Sequence, residues 1–273
     1  MSQSHELQLH IVKLDEIRSI LNSMKNLALI ETHKLARLQS LQSQAVAAIE
    51  TVISDLLSFY PQLINTDTTM PSLCLLVGTE RGFCGDFNEQ LLRASKQQTY
   101  SQTIAIGSRL ANKFTDDELA NISIIAGANV AEEVPLIVNR LIDSIAPSHE
   151  HLAIRLMAIY YDSPAKPIQQ RQILPLSAQQ SSNASCHSHP PLLNLTPEVF
   201  FSDLLTQYLF AVLHEILYLS LSAENHRRLQ HLEGAVNHLE DEIANLQRKC
   251  QIYRQEEITE EIEVILLNAE NIC

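Results

Sequence analysis

Three stretches of the sequence carry residue types that chemistry uses. The first is Val77-Gly-Thr-Glu-Arg-Gly-Phe-Cys-Gly-Asp-Phe-Asn88. Its glycines precede a helix start, where backbone N–H groups and the positive helix end can cradle an anion. It contains neither the Gly-Lys-Ser/Thr of a Walker loop nor Gly-x-Gly-x-x-Gly. Glycines closing a strand-to-helix turn are the better reading. Cys84 as a nucleophile needs a nearby base, and the sequence supplies none. The second stretch is Cys186-His-Ser-His189, whose side chains are borderline metal ligands. Pro190-Pro191 follows and the surroundings are polar, so a surface loop is expected there, with no metal. The third is Arg254-Gln255, followed by Glu256, Glu257, Glu260, Glu261 and Glu263. A planar guanidinium fork holds carboxylates bidentately; the competing reading is a solvated helix surface. None of these forms a catalytic set, so no catalytic residue, cofactor or metal is expected.

The elements around them follow from apolar spacing. From Leu14 to Phe59, seam positions recur alternately three and four apart: 14, 17, 21, 24, 28, 31, 35, 38, 42, 45, 49, 52, 56 and 59. Only Glu31 and Gln42 interrupt their apolar character, and no Pro or Gly occurs before Pro61. This predicts one helix over about 5–59, ~80 Å long at 1.5 Å per residue, facing a partner helix. A second seam runs through Leu229, Leu232, Val236, Leu239, Ile243, Leu246, Cys250 and Tyr253. It lies on a helix opened by Thr196-Pro197-Glu198, an N-cap followed by a first-turn proline and acid. Residues 199–221 are apolar on most faces and should be buried.

Between these helices, short apolar runs at 72–77, 103–106 and 122–126 each stop at or next to a glycine, and helical stretches at 86–99, 108–114 and 130–145 separate them. Segments 151–161 and 168–176 read as a hairpin. Strands alternating with helices predict a small parallel-sheet, Rossmann-like α/β domain. The fold class expected is α+β: a long antiparallel coiled coil of the terminal helices with that domain inserted. The divisions are 1–60, N-terminal coiled-coil helix; 71–177, α/β domain; 178–195, loop; and 196–273, C-terminal coiled-coil helix.

Composition narrows the function. The 273 residues are 45% hydrophobic and carry a formal net charge of −13. That balance argues against non-specific binding to nucleic acid or anionic lipid. No apolar run approaches the roughly 18 residues of a membrane span. Five scattered cysteines without a CxxC fit a reducing compartment. Residues 1–10 lack secretory or transit-peptide character, so a cytosolic, bacterial protein is expected.

The loop Glu80-Arg81-Gly82-Phe83-Cys84-Gly85, with Asn88, resembles that of gamma subunits of F-type ATP synthases, where an acid precedes Arg-Gly-Leu-Cys-Gly and an Asn follows. Ala223-Glu-Asn-His-Arg-Arg-Leu229 resembles the family's Ser-Glu…Ala-Arg-Met stretch. Arg254-Gln255 with Ile258-Thr259-Glu260-Glu261 resembles its Arg-Gln-x-x-Ile-Thr-x-Glu ending, and Met24-Lys25 gives a weaker match. The order of helix, α/β insert and longer helix is also the family's. Departures are a mostly neutral first helix where the family is rich in Lys and Arg, Val264 for an acid, Asn268 for Gly, and Gln251 for Asn. They mark a divergent member, of an alternative or sodium-translocating F-type ATPase.

The resemblance implies a non-catalytic central stalk, a rotating shaft coupling ion translocation in a membrane ring to ATP synthesis or hydrolysis. The implied partners are the alpha and beta subunits of the catalytic hexamer, the epsilon subunit and the c-subunit ring. Arg254, Gln255, Met24 and Lys25 become candidate partner contacts, with Arg254 and Gln255 meeting an acidic loop of the beta subunit. Glu80, Arg81, Gly82, Cys84, Gly85 and Asn88 become a structural loop on a foot domain. The implied location is peripheral, on the cytoplasmic face of the inner membrane. A gamma-like coiled-coil adaptor without a rotary role is the alternative, and a small nucleotide- or substrate-binding α/β enzyme a third reading.

Overall fold

The computed structural model describes residues 3–63, 70–115, 121–145, 154–163, 168–176 and 189–270. Cys186 and His187 of the His/Cys stretch lie outside them. The elements are α1 (Gln3–Phe59), β1 (Ser72–Val77), α2 (Phe87–Ser95), β2 (Gln102–Ile106), α3 (Ser108–Ala111), β3 (Ile122–Ile125), α4 (Val134–Ile145), β4 (Arg155–Tyr160), β5 (Gln169–Leu174) and α5 (Pro197–Glu270). One-turn 3-10 helices follow α1 at Pro61–Leu63 and precede α4 at Ala131–Glu133. Contacts divide the chain into two compact units, Leu29–Arg228 and Met1–Ala28 with Leu229–Cys273.

In the unit Leu29–Arg228 the sheet order is β3-β2-β1-β4-β5. The first four strands in that row are parallel, and β5 returns antiparallel beside β4. Central β1 is a continuous apolar run because both its faces are covered. Leu73, Leu75 and Val77 join α4 residues such as Val134 and Leu141, and α5 residues from Leu205 to Leu221, in one core. Cys74 and Leu76 point to the other face, with Phe87 and Leu91 of α2, Leu110 of α3 and Tyr161. α1 runs antiparallel to α5 here: Gln39 Nε2 donates to the Tyr218 carbonyl, and further along Gln42 Nε2 donates to that of Ala211. Arg171 ties β5 to both helices, reaching Glu50 and Glu215 at 2.8 Å each.

The expectation that no segment matches a membrane span in length and apolarity needs correction. α5 contains an 18-residue window of mean hydropathy 1.4, of which 72% is buried within the protein. Its apolar character is explained by core packing, since Tyr208, Val212, Leu213 and Ile216 are fully buried.

In the other unit, Leu14 and Ala28 of α1 and Leu232, Val236, Ile243 and Cys250 of α5 are buried. Ser4 Oγ donates to Glu257 Oε2 at 2.8 Å, and Cys250 Sγ donates to the Ser4 carbonyl at 3.5 Å. The α5 seam follows the expected positions to Cys250, after which Tyr253 is exposed.

One column of the α1 seam lies a residue later than expected. Positions 14, 28, 35 and 56 are buried as expected, but Ile17, Ala45 and Val52 are exposed while Val46 and Ile53 are buried. The alternative column 11, 18, 25, 32, 39, 46 and 53 contains Arg18, Lys25, Thr32 and Gln39. Their polar heads disguise it, although such side chains cover a seam with their stems.

Gly234 sits in the interior of α5, and a Cβ built there meets no atom within 4 Å. Gly234→Ala is therefore expected to stabilise the protein by about 0.5–1 kcal/mol. The check is a rise in the urea midpoint at constant slope.

Candidate functional site

The loop after β1 and the α5 segment around residue 224, matched separately in the sequence, meet in the structure. The Glu224 carboxylate accepts the backbone N–H of Glu80 at 3.3 Å and of Arg81 at 3.2 Å, and pairs with Arg228 one turn on. Arg228 also donates from Nε to the Gly82 carbonyl at 3.1 Å and from Nη1 to Asn225 Oδ1 at 2.9 Å. The loop thus does cradle an anion, but that anion is the chain's own carboxylate. Burial pushes the Glu224 carboxyl above its ordinary range, against the pull of Arg228 and the two amides.

Glu80 is the second anchor. Its carboxylate accepts Ser108 N–H at 2.8 Å, Ser108 Oγ–H at 2.7 Å and Gly127 N–H at 2.7 Å. One side chain therefore joins the ends of β1, β2 and β3. Partial burial opposes its ionisation, but the bonds from Ser108 and Gly127 and the charge of Arg109 outweigh that and hold its pKa below the ordinary 4.5. A depressed folded-state pKa contributes stability that is present above the unfolded value and lost as pH falls through the folded one. Glu80→Gln is therefore expected to lower stability at neutral pH and to flatten the decline below about pH 4.5. Urea titrations from pH 3 to 7 check this.

Asn88 Oδ1 accepts Thr79 N–H at 3.1 Å while Nδ2 donates to Thr79 Oγ1 at 2.9 Å, tying the loop to the start of α2. Gly78 has no room for a side chain, since a Cβ there falls 2.5 Å from Leu110 Cβ. Phe83 and Gly85 adopt positive φ, 64° and 62°. Cys84 is buried and donates to the Gly82 carbonyl at 3.4 Å. Burial, then the neighbouring Glu224 charge, push its thiol up to about 12, so it is a packed thiol and not a thiolate nucleophile.

In doubly wound sheets the ligand crevice lies beyond the strand ends where strand order reverses, here between β1 and β4. Phe87 and Tyr161 pack there with ring centroids 4.1 Å apart, beside Ala223 of α5. Ser220 Oγ donates to the Val77 carbonyl at 3.4 Å. Among the described residues, no group of three or more His, Cys, Asp or Glu side chains is placed to hold a metal ion.

The other candidates lie on the helices. Arg254 and Gln255 are exposed on α5, while Met24 and Lys25 are half-buried on α1. Sequence reading missed the contact between the loop and α5, although Glu224 and Arg228 stand at i and i+4, the spacing of a helical ion pair. Ser108 and Gly127 carried no comparable signal.

A family model described as ATP synthase matches residues 3–272. An ATP synthase gamma chain of Clostridium botulinum (strain Langeland) is 21% identical, covering 94% of this chain and 95% of its own length. That of Leptospira biflexa serovar Patoc is 24% identical, covering 94% and 98%. A chain from the rotor of the Euglena gracilis mitochondrial ATP synthase matches at a TM-score of 0.64 and 12% identity, over 93% of this chain and 98% of that one. A central-stalk chain of the Tetrahymena thermophila mitochondrial enzyme gives 0.57 and 16%, over 79% and 99%. These structures share the fold described above, and the family match runs through both terminal helices and the sheet: the chain belongs to the ATP synthase gamma-subunit family.

Proposed function

We propose that this chain is the central-stalk shaft of an F-type ATP synthase or ATPase, coupling ion flow through a membrane ring to ATP synthesis or hydrolysis in an alpha/beta hexamer. The observation that carries this reading is the pairing of the two terminal helices, which leaves residues 251–266 of α5 exposed apart from the half-buried Glu257. A helix pair is stiffer than one helix, and its asymmetric surface biases bistable neighbours by differential contact. Arg254, Gln255, Met24 and Lys25 face the hexamer. The sheet and the loop from Glu80 to Asn88 form the foot, beside the epsilon subunit and the c-subunit ring. The chain itself catalyses nothing, and the complex sits on the cytoplasmic face of the membrane. The internally occupied cradle supports a non-catalytic role.

Co-expression of the tagged chain with the alpha and beta subunits of its host tests this. The expected product is an ATPase-active hexamer carrying one copy of the chain. A chain that purifies alone, with no hexamer and no activity, overturns the reading in favour of an adaptor.

A further inference from the structure

A cleft of about 210 Å³ lies between the β1–α2 loop and α3 with the residues just after it. Glu224 and Arg228, which hold the loop from α5, do not line it. Arg81, Phe83, Glu89, Arg109, Asn112 and Lys113 do. Three cations against one carboxylate give the lining a net charge of +2, in a chain whose formal net charge is −13. Its two walls follow the carboxyl ends of the parallel strands β1 and β2, the end of an α/β sheet at which ligands bind.

The fold does not use up these donors. Among the described residues, the Arg109 guanidinium makes no hydrogen bond or ion pair; its charge acts on Glu80, whose carboxylate is already held by Ser108 and Gly127. Gly82 puts no side chain in its way, since a Cβ there would stand 3.8 Å from Arg109 Nη2. Arg81 uses only Nε of its guanidinium, on Asn129 Oδ1 at 2.9 Å. Lys113 pairs with Glu89 at 2.7 Å, but both are partly exposed, so the pair is weak and can be shared. Phe83 adds a second kind of signal. It holds a φ of 64°, strained for an aromatic residue, and its side chain is still 53% exposed, so core packing does not explain the conformation.

Charge and size select the ligand. A guanidinium fork matches two oxygens of a carboxylate or of a phosphate. A carboxylate brings one negative charge to this lining, whereas a phosphate group brings about −1.5 to −2 at neutral pH and balances it. The cleft is smaller than the roughly 300–1,000 Å³ that enclose a drug-sized ligand, so it suits a small anionic group. A nucleotide would leave its base outside, where the Phe83 ring offers a stacking surface.

We propose that this cleft binds a phosphate group, free or at the end of a nucleotide, with Arg109 and Arg81 on its oxygens and Lys113 and Asn112 donating to the rest. Bound there, the phosphate ties the β1–α2 loop to the segment after β2. No chemistry is done on it. The proposal stands apart from the shaft reading, because the isolated chain carries every group named.

Calorimetric titration of the full chain with inorganic phosphate, pyrophosphate and ATP tests this, with potassium acetate as the carboxylate control. The expected result is saturable one-to-one binding of a phosphate compound, with acetate far weaker. Affinity should fall roughly tenfold or more in Arg109→Gln/Lys113→Gln. Asn112→Asp, at an exposed position, sets a carboxylate in the cleft while leaving every cation in place, and should weaken binding as much. Melting without ligand shows that each variant folds. ATP bound more tightly than pyrophosphate, with the difference lost in Phe83→Ala, identifies a nucleotide; affinities that Phe83→Ala leaves unchanged identify a free phosphate. A natural chain that binds none of the three, that binds acetate as tightly, or whose binding survives Asn112→Asp undiminished overturns the proposal.

Discussion

Arg228→Ala is expected to destabilise the folded protein by about 3–5 kcal/mol, the largest effect of any single substitution considered for this chain. The Arg228 and Glu224 side chains are each only 4% exposed. Removing the guanidinium leaves the Glu224 carboxylate buried with two backbone amides as its remaining partners, and leaves the Gly82 carbonyl with the weak Cys84 thiol donor in place of a guanidinium. The cost comes from the stranded charge more than from the lost attraction. Glu224→Gln/Arg228→Met should therefore cost less than Arg228→Ala alone. The glutamine oxygen still accepts from one of the two loop amides, and the methionine fills the space without a charge, so one unpaired amide takes the place of a stranded carboxylate. Urea unfolding of the three variants measures both steps. A double variant as damaged as the single one would mean that the ion pair stabilises by itself and that this account of it is wrong.

That ion pair also shows where sequence reading reached its limit. Strand β1 was legible to the residue, because a strand covered on both faces has to be apolar throughout and Gly78 stops it against Leu110. The α5 seam was legible down to Cys250, because its partner positions are apolar. One column of the α1 seam was not, because Arg18, Lys25 and Gln39 occupy positions that a pattern of apolar residues cannot flag. The loop was recognisable by its glycines, yet its partner is some 140 residues away in sequence. Nothing local announces that Glu224 fills the cradle; only the fold brings it there. The same fact bears on function. In an α/β protein an unoccupied glycine-rich loop at the end of β1 invites a phosphate. Here the α5 carboxylate holds that place, and the site anchors the helix to the sheet.

The second large effect is expected at the opposite kind of position. Arg254→Ala/Gln255→Ala should lower ATP hydrolysis by the assembled complex at least tenfold, a change of roughly 1.4 kcal/mol or more in the activation barrier. The melting of the isolated chain should stay nearly the same. Both side chains are exposed, and exposed substitutions ordinarily move stability by less than about 0.5 kcal/mol. A loss of activity without a loss of fold is what separates a partner contact from a structural residue such as Arg228. Arg254→Lys sharpens the distinction, because it keeps the charge and loses the planar fork. If a carboxylate is held bidentately, lysine restores only part of the activity; if a bare positive charge suffices, it restores nearly all. Hydrolysis unchanged in the double alanine variant would return Arg254 and Gln255 to an ordinary solvated helix surface. The uncovered apolar side chains that follow them would then be left as the means by which α5 engages its neighbours.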